Sequence, residues 1–352
     1  MVFLPTFEIK METTTSEYGD YDYNDTSTPI PVCLRERDNI VGAHLSILFY
    51  FMFLFSVCFN VLVLVIIHRF EKLTTVTNIF LLNLVVSSLI FVSSLPFLAV
   101  YMQRSEWIFG SAMCKIVSTV YYMGIYSSVL FLALLTFDRH LAVVYSLGAS
   151  RMRNRKYAIA SCVVVWLVTS LACVKQMIIH KSFNYSIDNK TYCEEHTTEN
   201  DLKKLRLFGF YLQIFLFFLF PLAVIIYCYI RIAITVLTSK IVTKFKTVRL
   251  IFVIVVLFFV CWTPYNIVQL MHDSGAHKCK DLENLGYALH ITRNLAYIYF
   301  CISPIFYTFV GRKFQNYFRL MLVNRFPRLR KHISVSQHTG TNMSTKTTPN
   351  DL

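Results

Sequence analysis

An all-α membrane protein, a seven-transmembrane helix bundle with a short amphipathic eighth helix, is the fold class that three observations on this 352-residue chain predict. The hydrophobic fraction is 55% and the mean hydropathy is +0.52, values of a chain solvated by lipid rather than by water. Seven apolar runs, at about 44–67, 77–102, 112–143, 157–179, 207–236, 248–271 and 286–310, are each long enough to cross a bilayer as a helix. Most contain no acidic residue, and backbone polar groups in hydrocarbon must be satisfied within each segment, which implies helices. Basic residues collect in alternate connections, so the chain has a defined orientation.

The first element, residues 1–43, is a polar tail containing "EYGDYDYNDT" at 17–26, an acidic stretch in a chain of formal net charge +14. Tyr18, Tyr21 and Tyr23 follow neither a strand nor a helix period, and Gly19 with the aspartates opposes helix, so this stretch is expected to act as a tail. "MVFLPTF" has no basic flank and too short an apolar run for a cleaved signal, so the first span is expected to serve as the signal, and Met1 and Met11 are both candidate starts. The bundle follows at 44–310, an amphipathic interfacial helix at 311–326, and a disordered cytoplasmic tail at 327–352.

With the N-terminus outside, the inner connections carry Arg69, Lys72, Arg151, Arg153, Arg155, Lys156, Lys240, Lys244, Lys246 and Arg249, and the C-terminal segment adds further arginines. Only Glu71, Asp138 and Asp351 oppose them, and the positive-inside rule selects this topology over its mirror image. The basic flanks are sufficiently explained by topology and anionic lipid. A multi-pass plasma-membrane protein with an extracellular N-terminus is the expected location.

Four of the ten cysteines fall outside: Cys33, Cys114, Cys193 and Cys279. An even set in an oxidising compartment reads as two disulfides with three possible connectivities, and proximity to helix ends favours Cys114–Cys193 and Cys33–Cys279. The six cysteines in apolar runs read as packing residues. Asn24, Asn184 and Asn189 stand in outer N-x-S/T contexts and are candidate glycan sites, whereas Asn342 matches the pattern on the inner side. No metal-ligand spacing, catalytic triad or cofactor motif is present, so an enzyme is not expected, and the absence of internal repeats argues against a transporter.

Motifs at the helix ends narrow the class. The third span ends in "DRHLAVV", with Asp138 and Arg139 adjacent. The fourth holds Trp166, the fifth Pro221 and Tyr229, the sixth "CWTPYN", the seventh "SPIFYTFVGRKF", and the first Asn60. This ordered set, from about 44 to 323, resembles the class A (rhodopsin-like) G-protein-coupled receptors. "VRLIF", "SLPF" around Pro96, "WIFG" at 107–110, "FVGRKFQNYF" and the Cys33/Cys279 pair are similar to the chemokine-receptor pattern within it. "ALHITRNLAYIYF" at 288–300, with Arg293 where most chemokine receptors carry glutamate, is most similar to the lymphotactin (XC-type) receptor.

The resemblance implies roles. Asp138 would hold Arg139 at rest, and Arg139 would engage a G protein once the sixth helix moves outward; the bland alternative is an ion pair anchoring the third helix. Trp262, beside Pro264, would couple pocket to helix movement, and Tyr229 and Tyr307 would stabilise the open state. Prolines 221, 264 and 304 are expected to interrupt their helices. Tyr121, Tyr122, Tyr265, Trp262 and Arg293 would line an outward-facing pocket suited to a peptide segment, with Arg293 favouring a carbonyl, carboxylate or hydroxyl over an amine; its alternative is snorkelling.

Three departures qualify the resemblance. Ser88 stands where the family has a helix-two aspartate, and Ser303 where it has the asparagine of "NPxxY". A serine hydroxyl cannot supply a carboxylate's charge to a hard cation, so the sodium site is expected to be lost and no metal is expected. His140 replaces the tyrosine of "DRY", and Leu98 stands where many relatives have tryptophan.

Phe314, Tyr317, Phe318 and Met321 lie at helical spacing among basic residues, as in an interfacial helix on the inner leaflet. The Ser/Thr-rich end is the expected partner of receptor kinase and arrestin. In the acidic tail, Tyr18, Tyr21 and Tyr23, flanked by Asp20 and Asp22, have the context of tyrosine sulfation. Such a tail would capture a basic chemokine by long-range attraction, its alternative being a solvated spacer. The expected function is a chemokine receptor that activates an inhibitory-class heterotrimeric G protein, promoting calcium signalling and chemotaxis. The rival is an atypical, scavenging chemokine-binding receptor with little G-protein signalling.

Overall fold

In the computed structural model, the chain is described at residues 8–10, 34–36, 39–70, 75–145, 153–185, 189–196, 200–239, 245–273, 279–310 and 312–325. The helices are α1 (Asn39–Phe70), α2 (Val76–Ser93), α3 (Leu95–Arg104), α4 (Gly110–Val144), α5 (Arg155–Ile179), α6 (Asn200–Ile214), α7 (Phe220–Ser239), α8 (Phe245–Asp273), α9 (Cys279–Val310) and α10 (Arg312–Arg325). Among the described residues five spans are long and apolar enough to cross a membrane, the second made of α2 with α3 and the fifth of α6 with α7. Helices α8 and α9 add the sixth and seventh, and α10 is the short helix expected after the bundle.

The spans lie where hydropathy puts them, with helices running past the expected ends. Helix α1 begins at Asn39 rather than 44, and α9 at Cys279 rather than 286. The second span breaks at Ser94, directly ahead of Pro96, whose ring and missing N–H end one helix and start the next. In the fifth span a π-turn, Phe215–Leu219, precedes Pro221. In this wider turn, directly ahead of the proline, the Phe220 N–H reaches back five residues to the Phe215 carbonyl. Pro264 lies inside an α8 that stays helical throughout, so that expected interruption does not take the form of a break. The backbone of α9 is likewise continuous through residue 304.

Packing is inside-out relative to a water-soluble bundle. Tyr121, Tyr297, Tyr265, Phe91, Phe131 and Phe258 are fully buried at its centre, while Ile47, Phe51, Leu54, Leu171 and Leu237 project outward at 61–77% exposure. Such an apolar exterior is stable only in lipid. Among the described residues polar bonds run both between and within helices: the Trp166 indole donates to the Asn83 amide oxygen at 2.9 Å, joining α5 to α2, while within α1 the Asn60 amide donates to the Ser56 carbonyl at 2.8 Å.

Outside the bundle, β3 (His180–Tyr185) pairs antiparallel with β4 (Lys190–Glu195), a hairpin hydropathy did not reveal. The Cys114–Cys193 disulfide, with Cα atoms 5.6 Å apart, ties β4 to the start of α4. Trp107 locks the neighbouring loop: its N–H donates to the Thr191 carbonyl at 2.8 Å and its indole to the Gly110 carbonyl at 2.8 Å. Gly110 needs its freedom here, at a φ of 78°. In the tail, β1 (Glu8–Lys10) pairs antiparallel with β2 (Leu34–Glu36). Cys33 and the acidic stretch at 17–26 lie outside the described residues, as do the side chain of Cys279 and hence the second expected disulfide.

Helices α2 and α4 approach closely at Gly124, where an added Cβ would sit 2.5 Å from the Phe91 backbone nitrogen. Backbone cannot swing aside as a side chain can, so Gly124 sets the spacing of these two helices. Gly124→Ala should destabilise the protein by about 1–3 kcal/mol through overpacking. Thermal unfolding in detergent should show a lower midpoint for the variant; an unchanged midpoint would contradict the tight contact.

Candidate functional site

Two polar regions lie in the bundle, one beneath the outer hairpin and one at the cytoplasmic end. In the outer region the Tyr297 hydroxyl on α9 donates to the Tyr121 hydroxyl on α4 at 2.9 Å, and Phe91 on α2 packs against both rings. Tyr121 lies within electrostatic reach of Tyr265 and Arg293. The Arg293 guanidinium donates to His290 Nδ1 at 2.8 Å, which makes that nitrogen the acceptor and excludes a proton on it. Arg293 is buried, at 3% exposure, so it does not snorkel to the interface.

Tyr122 and Trp262 meet at a neighbouring cavity of about 20 Å³, lined also by Tyr126, Gln213 and Asn266. That is room for about one water. A hydrogen-bond chain crosses it. The Tyr126 hydroxyl donates to Gln213 Oε1 at 3.2 Å, and Gln213 Nε2 donates to Gln269 Oε1 at 3.3 Å, linking α4, α6 and α8. The Tyr126 ring stacks on Phe217 of the π-turn at 3.9 Å. Tyr126, Gln213, Gln269 and His290 were not anticipated from sequence; the one available signal was Tyr126 standing a helical turn beyond Tyr122.

Above the pocket, Glu195 is 4% exposed at its side chain and meets Lys175 of α5 and Arg206 of α6, each at 3.4 Å. Lys175 reaches it by crossing Gly209, where a Cβ would sit 2.1 Å from the lysine stem. His180, fully buried at the end of α5, donates from Nδ1 to the Gln176 carbonyl at 3.2 Å. Burial pushes the His180 imidazole down to about 4, against the opposing pull of Glu195. Asn184 and Asn189 are exposed on the hairpin, and Asn189 occupies the left-handed region at φ 55°.

At the cytoplasmic end Asp138 is completely buried, and its main partner differs from the expected one. Arg153, just ahead of α5, forks onto it: Nε lies 2.7 Å from Oδ1 and Nη2 3.0 Å from Oδ2. Thr77 of α2 donates to Oδ2 at 2.7 Å. Arg139 approaches only to 4.0 Å, beyond hydrogen-bond range. His140 is buried among Phe137, Tyr145 and Tyr227. Tyr229 packs on Phe252 of α8 at 5.3 Å. Ser88 is buried with its hydroxyl donating to the Leu84 carbonyl at 3.1 Å. The side chains of Ser303 and Tyr307, and Tyr18, Asp20, Tyr21, Asp22, Tyr23 and Asn24 altogether, lie outside the described residues.

Seven membrane helices, a disulfide-tethered outer hairpin and a buried Asp138 followed by a half-buried Arg139 at the inner end of the third span define a membrane receptor, and the chain matches the family described as 7 transmembrane receptor (rhodopsin family) over residues 59–307. It is 36% identical over 326 residues to the human C-C chemokine receptor type 1, covering 90% of each chain. It is 35% identical over 325 residues to the guinea pig (Cavia porcellus) C-C chemokine receptor type 3, covering 90% of this chain and 87% of the relative. The G-protein coupled receptor E1 of equine herpesvirus 2 is 36% identical over 306 residues, covering 85% of this chain and 79% of the viral one. The chain belongs to the rhodopsin family of seven-transmembrane receptors and, within it, to the chemokine-receptor family. It is a multi-pass receptor of the plasma membrane and not an enzyme.

The depressed His180 value has a consequence for the outer hairpin. An unfolded histidine titrates near 6.5, above the folded value of about 4, so the unfolded state binds the extra proton between them. The stability His180 contributes is complete above about pH 6.5 and is lost as pH falls through the folded value. His180→Gln should flatten the fall in thermal midpoint between about pH 6.5 and 4 relative to the unaltered receptor; parallel profiles would place the acid sensitivity elsewhere.

Proposed function

We propose that this receptor captures a basic chemokine with its acidic N-terminal tail and its outer helix pocket, and activates a heterotrimeric G protein of the inhibitory class. Calcium signalling and chemotaxis are the responses that follow. The observation that carries the reading is the buried Asp138 beside the half-buried Arg139 at the inner end of the third span, beneath an aromatic outer region, in a chain with relatives named as C-C chemokine receptors.

The tail and the pocket divide the work. Tyr18, Tyr21 and Tyr23, sulfated among Asp20 and Asp22, steer a cationic ligand to the surface by long-range attraction. Tyr121, Tyr122, Tyr265 and Arg293 then read the inserted segment, and the buried Arg293 guanidinium selects a carbonyl, carboxylate or hydroxyl. Movement at Trp262 and Pro264 swings the sixth span, with Tyr229 and Tyr307 holding the open form and Arg139 meeting the G protein. A Cys33–Cys279 disulfide ties the tail to the third outer loop, and Asn24, Asn184 and Asn189 carry glycans. The Ser/Thr-rich end serves receptor kinase and arrestin. The XC-type subtype is supported by the stretch around Arg293, "RNLAY", while two of the relatives named above are C-C receptors.

The residue at position 88 does not fit a sodium ion: a serine hydroxyl supplies no carboxylate charge to a hard cation. Agonist affinity should therefore be insensitive to sodium at constant ionic strength, and a large sodium-specific drop would overturn this reading.

His140 in place of the usual tyrosine favours the second reading, a scavenging receptor. Chemokine-triggered inhibition of cAMP, with and without pertussis toxin, separates the two. A toxin-sensitive fall is expected; binding and uptake with no such response would establish the scavenger. In the same cells, replacing Tyr18, Tyr21 and Tyr23 by Phe should weaken chemokine binding about tenfold without lowering surface expression, whereas unchanged affinity would leave the tail as a spacer.

A further inference from the structure

We infer that Arg153 is a positioning residue for G-protein coupling: by occupying Asp138 it leaves Arg139 unlatched. This rests on the reading that the receptor couples to a G protein. Asp138 has no exposure, so its charge must be met inside the protein. Arg153 meets it through two parallel bonds, of 2.7 and 3.0 Å, and Thr77 supplies a third of 2.7 Å. Arg153 Nη2 also lies 3.4 Å from the Thr77 hydroxyl, so carboxylate, hydroxyl and guanidinium close a three-membered set across α4, α2 and the start of α5. A forked arginine–carboxylate contact is among the stronger ion pairs, and one guanidinium already neutralises the aspartate. The neighbouring Arg139 is left at 4.0 Å with its Nε making no hydrogen bond among the described residues.

The placement of Arg153 is built in. Asn154 caps α5, its side chain accepting from the Tyr157 N–H at 2.8 Å, and the Tyr157 ring packs edge-on against Phe80 of α2. This fixes the residue before the cap, Arg153, over the inner end of α4. The inner connection between α4 and α5 thus carries the counter-ion, and the freedom of Arg139 is set by which arginine holds Asp138. Without Arg153, Asp138 draws Arg139 in, and Arg139 must then leave a buried carboxylate before it can engage a G protein.

Two measurements on the full-length receptor test this. The first needs no G protein: thermal midpoints in detergent for R153Q, D138N and the double variant. R153Q should lower the midpoint in the unaltered receptor and have little effect on the D138N background; additive effects would overturn the pairing. The second is basal nucleotide exchange by purified inhibitory-class heterotrimer on membranes matched for surface receptor. R153Q should lower basal exchange about fivefold, R153K should restore part of it, and R153Q should do nothing further on the D138N background. Unchanged or raised exchange in R153Q would overturn the positioning role. A receptor that shows the thermal coupling but drives no exchange, basal or chemokine-stimulated, would instead overturn the coupling reading itself, and the positioning role with it.

Discussion

Hydrocarbon offers no hydrogen-bond partner, and every level of this structure answers to that constraint. The backbone meets it by staying helical across each span, and where proline removes a donor the helix either ends, as at Ser94, or widens, as at Phe215–Leu219. Hydroxyls meet it by bonding to their own helix: Thr136 donates to the Leu132 carbonyl and Thr169 to the Val165 carbonyl, both at 2.9 Å. Only a few polar groups reach across to another helix. Trp166 to Asn83, Tyr297 to Tyr121, and Tyr126 to Gln213 to Gln269 are the bonds that set which helices face each other.

The two ends of the bundle are held by different physics. The outer end is stapled covalently, and β4 then carries Glu195 into a buried position between Lys175 and Arg206. Two cations on one carboxylate fasten the hairpin to α5 and α6 at once, a rigid cap on the aromatic region below. The inner end has no disulfide among the described residues, and Asp138 there joins α2, α4 and the start of α5 through hydrogen bonds. The contrast suits a receptor whose outer half must hold a shape and whose inner half must change one.

Much of this was legible in the sequence, for a specific reason: a bilayer imposes one uniform demand, about 20 apolar residues per span, that composition cannot disguise. Spans, orientation and the Cys114–Cys193 link followed from it. The helix ends did not, because α1 and α9 extend into water where hydropathy carries no signal. The β3–β4 hairpin was missed because it is short and polar, and its turn residue Asn189 is an ordinary loop residue until its φ is seen. In the pocket, tyrosines were found because aromatic rings stand out in a span, whereas Gln213 and Gln269 came into view only through the bond that joins them.

Arg153 is the instructive omission. In sequence it is one arginine in a basic inner connection, and lipid contact and topology fully account for such residues. What separates it from its neighbours is a partner 15 residues away that is buried and charged. Within the spans, Asp138 is the one carboxylate that lies deep in an apolar run, the helix-two position being Ser88. A lone buried carboxylate can be matched by one guanidinium, and two arginines lie within 4.0 Å of it. Adjacency in the sequence points to Arg139, but neighbours on a helix face apart, and an arginine arriving from another element can present its fork squarely. The geometry therefore assigns the pair by approach direction, which no reading of "DR" as a dipeptide contains.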